Sequence, residues 1–215
     1  MNENKYLEYW NDLYKNINYF GTGPTKLAIF ASKILEKNTC SNMLEIGCGQ
    51  GRDAIYFSQL GYNVHAFDIS KNAVHFVNEI KKSSNLSNLE INVHNVEEPF
   101  LFESEFFDFV YSNLALQFFN LESLKKIFSN ISHVTKKNSL FLMSTKKKGD
   151  KYYNFGKQIS ENAFENKGII RYFYELDELK DAFSEHFDLI EYDSHQHENL
   201  DATTSIWWKL LLKKK

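Results

Sequence analysis

Short runs rich in β-branched and aromatic residues recur at 42–46, 63–69, 89–95, 106–113 and 139–145, and between them the apolar residues change to helical spacing. Strands separated this way pair through helical crossovers, which predicts a parallel sheet covered on both faces. One helical stretch runs from Arg52 to Leu60 and stops at Gly61, a residue suited to the left-handed turn that closes a helix. The next opens at Ser70, a good cap, and aligns Ala73, Val74, Val77 and Ile80. A third carries Leu121, Leu124, Phe128, Ile131 and Val134. Ahead of the first strand, Tyr6–Asn16 reads as a helix, and a second follows Pro24, placed at the first helical position. A polar, aromatic insertion fills 146–168, and 175–183 reads as a helix. The last strands are expected at Phe187–Asp193 and Thr203–Leu212, joined by a short polar loop as an antiparallel hairpin. With 215 residues, 43% of them hydrophobic, and no linker rich in Pro, Gly or Ser, one domain is expected.

The first strand turns into the first crossover helix through LEIGCGQGRDAIYF, residues 44–57. Gly47, Gly49 and Gly51 let backbone approach a ligand closely there, and N–H groups at a helix start favour anionic groups. The dinucleotide fingerprint G-x-G-x-x-G would need glycine where Arg52 stands, so an NAD-linked enzyme is disfavoured.

The spacing G-x-G-x-G instead resembles motif I of the class I S-adenosylmethionine-dependent methyltransferases. AFDIS around Asp68, HNVEEPF after the third run, FFDFVYSNLALQFF and SLFLMSTK resemble that family's later motifs, and the likeness covers roughly residues 40 to 195. It implies an α/β fold: a Rossmann-like, seven-stranded, mostly parallel sheet with helices on both faces and the last strand antiparallel. The cofactor implied is S-adenosyl-L-methionine. Asp68 would accept both ribose hydroxyls, Ile69 would lie on the adenine, and Asn95, where the family usually has Asp, would stand with Val96 at the adenine edge. Asn113 and Leu114 would flank the methionine moiety, and Gly47, Cys48, Gly49 and Gly51 would form the cofactor turn. GQGRDAIYFSQLGYNV and the lead-in YWNDLYKN…YFGTGP look most like the small tellurite-resistance and thiopurine-type methyltransferases, which act on small molecules. Residues 1–38 are then N-terminal helices forming a lid, and 39–215 the Rossmann-like core.

Several residues allow two readings. Glu45 is either a solvated edge charge or an acid that orients the turn and the cofactor's amino group. Cys48 reads as a small loop residue rather than a nucleophile. Arg52 and Asp53 either complete the helix start or, for Arg52, reach a substrate anion. The aromatics Tyr6, Trp10 and Tyr14 share a helix face, while Tyr19 and Phe20 precede a hinge-like Gly-Thr-Gly and could cover a sulfonium cation. His195, His197, Glu198 and Asp201 form either a polar loop, a substrate contact or a metal site, and no metal is expected. Lys146–Lys148 and the lysines at 213–215 read as solubilising charges.

If the acceptor needs proton removal, Tyr19, Asp150, His195 and His197 are the candidate bases. A net charge of −3 and the absence of a strongly basic stretch argue against a nucleic-acid partner. No signal peptide or membrane-spanning run is read, and Cys40 and Cys48 form no C-x-x-C pair, so a cytoplasmic protein is expected. The expected activity is methyl transfer to a small-molecule acceptor. Its rivals are an RNA or protein methyltransferase, and a non-catalytic S-adenosylmethionine-binding subunit.

Overall fold

Strand β1 (Asn42–Ile46) is the centre from which the sheet grows in both directions. In the computed structural model, which describes residues 3–16, 18–35, 40–198 and 202–215, β1 pairs with β2 (Asn63–Asp68) on one side. Beyond β2 lies β3 (Leu89–Val93). On the other side come β4 (Phe107–Asn113) and β5 (Thr135–Lys146), and all five strands are parallel. β10 (Thr204–Lys214) then runs antiparallel between β5 and the edge strand β9 (Phe187–Glu198). The order is β3-β2-β1-β4-β5-β10-β9, a seven-stranded, mostly parallel Rossmann-like sheet.

Alternation along the strands divides the core between two faces. Leu44, Val110, Phe141 and Leu210 point to one face, against α5 (Leu121–Val134) and α6 (Leu176–Phe183). Met43, Phe109 and Leu142 point to the other, against α2 (Lys26–Leu35), α3 (Arg52–Gln59) and α4 (Lys71–Ser83). The helix starts follow their caps. Ser70 Oγ accepts from Ala73 N at 3.3 Å, and Glu175 and Glu178 form a reciprocal capping box at α6. Gly61 ends the α3 segment at φ +93°. No described helix is long and apolar enough to cross a membrane.

Three expectations need correction. Pro24 precedes the cap of α2 and does not occupy its first turn, because the Thr25 hydroxyl takes the cap position and accepts from Ala28 N at 3.1 Å. The 194–201 segment is not simply a loop: β9 runs on to Glu198, since Ser205, Ile206 and Trp207 of β10 stand opposite His197, Gln196 and His195. The polar insertion and the residues just after it form a second sheet, β6 (Lys157–Ser160), β7 (Ala163–Asn166) and β8 (Ile169–Tyr172), paired as an antiparallel meander. Lys167 and Gly168 link its last two strands with φ +53° and +83°, the two positive values that a tight hairpin turn requires. α1 (Glu3–Leu13) lies across the start of α4, with Asn11 Oδ1 accepting from Ser70 Oγ at 2.9 Å and Asn72 Nδ2 donating to Asn11 O at 2.8 Å.

Candidate active site

The crossover after β1 leaves toward the α3 face and the one after β4 toward the α5 face, so the loops part where these strands adjoin. At that reversal of winding, outside the carboxyl ends of the strands, a cavity of about 930 Å³ opens. The glycine turn forms its floor. Gly47 N and Cys48 N donate to Phe67 O at 2.9 and 3.1 Å, and Gly49 N donates to Asp68 Oδ2 at 2.9 Å. These three N–H groups are occupied within the protein, which leaves the start of α3, capped by no side chain, as the part of the turn with N–H groups to offer. The glycines answer to packing within the protein. A Cβ at Gly49, where φ is +53°, would stand 2.7 Å from the Tyr14 hydroxyl, and one at Gly51 would stand 2.6 Å from a Val77 methyl.

What the floor presents instead is acid. Glu45 is buried in β1, lines the cavity, and its Oε2 has no hydrogen-bond partner. Burial, and then the nearby charges of Asp53 and Asp68, push its pKa well above the ordinary carboxylate range. Asp68 ends β2, with Oδ2 accepting from Gly49 N and Oδ1 from Ser70 N, both at 2.9 Å. Burial raises its pKa, opposed by the backbone N–H groups of Ser70, Gly49 and Ile69. A carboxylate has about four acceptor sites, so these donors do not exhaust it. Cys48 is buried and its thiol is pushed up by that burial, which suits a packing residue rather than a nucleophile.

The residues just after the third glycine are turned toward the N-terminal segment. Gln50 Oε1 accepts from Tyr19 N at 2.9 Å, while its Nε2 donates to Asn16 O at 3.0 Å. Arg52 donates to Phe20 O at 2.6 Å and Gly23 O at 2.7 Å. Asp53 accepts from Thr25 N at 2.7 Å, from Thr25 Oγ1 at 2.8 Å and from the Tyr111 hydroxyl at 2.8 Å. Arg52 and Asp53 thus do more than complete a helix start: they hold Phe20, Gly23 and Thr25 in place beside the cavity. Trp10 and Tyr14 are buried with Ala73, Phe118 and Ile169, whereas Tyr19 and Phe20 line the cavity while remaining 50% and 55% exposed.

The opposite wall begins where the chain leaves β4. Leu114 adopts φ +55°, a sparse conformation for a branched-chain residue, and is held there by its N–H to Ser144 Oγ at 3.0 Å and by Gln117 Nε2 donating to its carbonyl at 2.9 Å. Ser144 Oγ in turn donates to Asn113 Oδ1 at 2.6 Å. Gln117 Oε1 is buried without a partner and lines the cavity. Lys146, at the end of β5, is buried rather than solubilising. It is paired with Asp150, and burial lowers its pKa against the pull of that partner. Asp150 also accepts from Tyr152 N at 3.0 Å and Ile206 N at 2.8 Å.

The family model described as tellurite resistance protein TehB matches residues 11–199. The chain belongs to the TehB family. Among curated relatives, a probable S-adenosyl-L-methionine-dependent methyltransferase TehB of Haemophilus influenzae is 35% identical over 97 residues, covering 43% of this chain and 32% of that protein. The malonyl-[acyl-carrier protein] O-methyltransferase of Buchnera aphidicola is 31% identical over 59% of this chain and 49% of its own. The match thus spans about a third to a half of these relatives' lengths. The crystal structure of TehB from H. influenzae superposes with a TM-score of 0.69 at 22% identity, over 97% of this chain and 67% of that one. A 1,6-didemethyltoxoflavin-N1-methyltransferase of Burkholderia thailandensis, with its acceptor and S-adenosylhomocysteine bound, gives 0.67 at 17% identity over 88% and 79%.

In this TehB-family chain the cavity brings together Phe20, Glu45, Gly47, Cys48, Gly49, Asp68, Ile69, Asn95, Val96, Asn113 and Leu114, with Tyr19, His195 and His197 at its rim. Gly51 lies behind the wall, against α4, and Asp150 lies behind Lys146. Glu198 ends β9, and Asp201 lies outside the described residues. Sequence reasoning did not find Gln50 as a fastener, nor Gln117, Lys146, Tyr152, Arg171 and Trp207 as cavity wall. The Lys-Gly pair at 167–168 between two short runs was the available signal for the small sheet, but no spacing rule points its side chains at the cavity.

Proposed function

We propose that this chain transfers a methyl group from S-adenosyl-L-methionine to a small-molecule acceptor. The observation that carries the reading is the polarity of the cavity floor: the buried carboxyls of Glu45 and Asp68 face the space, and the N–H groups of Gly47, Cys48 and Gly49 beside them are occupied. That floor suits a ligand that brings donors, such as ribose hydroxyls and an ammonium group, and two buried carboxyls disfavour a pyrophosphate. Family membership supports the same cofactor.

The cofactor supplies a methyl group activated by a positive sulfur, which the acceptor's lone pair displaces in line. The chain's own part is binding, alignment and exclusion of water. Asp68 accepts the two ribose hydroxyls. Glu45, with its open oxygen, takes the amino group. Ile69, Asn95 and Val96 receive the adenine, and Asn113 and the strained Leu114 set the methionine end. Tyr19 and Phe20, on the segment that Gln50, Arg52 and Asp53 hold, cover the site. Of the candidate bases, Tyr19, His195 and His197 line the cavity, while the Asp150 carboxylate already holds an ammonium and two N–H groups. Cys40 and Cys48 are free thiols, in keeping with a cytoplasmic setting.

Isothermal titration decides the matter. S-adenosylhomocysteine is expected to bind at micromolar levels or better and to raise the melting temperature by mass action. No binding of it, together with tight binding of NAD, would overturn the reading.

A further inference from the structure

We propose that the methyl acceptor is a flat, largely apolar molecule bearing one carboxylate, and that Arg171 receives that carboxylate. This rests on the methyl-transfer reading and names the acceptor's class. Arg171 stands on the same face of β8 as Ile169, which is buried with Trp10, Tyr14 and Phe118, so the small sheet carries Arg171 to the cavity wall. Its guanidinium lies over the Phe118 ring at 5.7 Å and the Tyr152 ring at 4.8 Å. It is half-buried, yet no carboxylate among the described residues pairs with it.

The other cations around the cavity are differently placed. Lys146 has Asp150, Lys209 has Glu191 at 3.0 Å, and Arg52 donates to two backbone carbonyls. Lys26 is exposed at the rim. Arg171 is therefore a half-buried charge held by two aromatic faces and lacking a counter-ion, and a partly desolvated charge calls for one. A single half-buried cation without a carboxylate partner among the described residues fits a monoanion better than a phosphate dianion. The planar fork of a guanidinium matches a carboxylate with two parallel hydrogen bonds. Tyr152 and Trp207, both part-exposed in the cavity wall, supply aromatic surface for a flat body.

Equilibrium dialysis of the whole chain, saturated with S-adenosylhomocysteine, against 2-naphthoate, 2-naphthamide and 2-naphthyl phosphate tests this. The acid is expected to bind roughly ten- to a hundredfold more tightly than the isosteric amide, the gain of one charge-assisted contact. Arg171→Gln should erase that ratio and Arg171→Lys keep part of it, with the affinity for S-adenosylhomocysteine unchanged in both. Equal binding of acid and amide by the native chain, or binding of neither, overturns the proposal whether or not the variants fold. So does tighter binding of the phosphate than of the acid. A fall in S-adenosylhomocysteine affinity in Arg171→Gln would give the residue to the cofactor's own carboxylate instead. Failure of the native chain to bind S-adenosylhomocysteine at all would sink the methyl-transfer reading itself, a result distinct from a chain that binds it but ignores the acid.

Discussion

Asp68 is asked to do two things with one carboxylate: it pins the glycine turn through Gly49 N and the helix start through Ser70 N, and it faces the cavity with what remains. Asp68→Ala should therefore weaken S-adenosylhomocysteine binding by roughly tenfold to a hundredfold, the equivalent of about 1.5–3 kcal/mol for a charged hydrogen bond. It should also lower the melting temperature, because two buried N–H groups lose their acceptor; calorimetry and thermal unfolding separate the two effects. Glu45 gives a pH signature. Its pKa is raised in the folded state, so the folded chain holds the proton more firmly than the unfolded one. Stability from this group is complete below about pH 4, the unfolded carboxyl's range, and is lost as pH rises toward the folded pKa. Glu45→Gln should flatten that decline, measured as thermal stability across pH 4 to 8. Asp68 was legible as a strand-end carboxyl, and it does end β2 at the cavity; its ribose role is what the family resemblance implies. The sequence left Glu45 open between two readings, because whether a strand carboxyl is solvated depends on what packs over it.

At the scale of elements, the segment between α1 and α2 is the part whose behaviour the packing predicts least simply. Its underside is core, with Trp10 and Tyr14 buried, and its outer residues Tyr19 and Phe20 are half exposed. Gln50 and Arg52 hold it by exposed polar contacts that water can replace, whereas the contacts of the buried Asp53 to Thr25 are part-buried. Hydrogen exchange over residues 18–25 should be measurable without ligand and slow on addition of S-adenosylhomocysteine, whereas the buried turns of α1 should exchange slowly in both states. Exchange over 18–25 that is already slow and does not change would make the segment ordinary packing. The regular crossover helices were legible because their apolar spacing and caps agree. The small sheet was not, because its four-residue strands show little alternation and one of them, β6, is exposed throughout.

For the whole molecule, the alternation of strands and helices was enough to set the parallel sheet and the two apolar layers. The cavity is a different matter: it is made by loops from β1, β2, β4 and β5, the N-terminal segment, the small sheet and the β9–β10 hairpin, brought together from both ends of the chain. The residues proposed for the cofactor cluster in sequence near strand ends, so a motif could point to them, and most of them do line the one cavity. Arg171, Lys146 and Trp207 share no spacing with one another and meet only in the folded chain. The stretch from Glu45 to Asp53 makes the floor of the cavity with its first half and latches the roof with its second. Floor and roof therefore share one run of nine residues, so a substitution that shifts the turn shifts the anchorage of the segment above it as well.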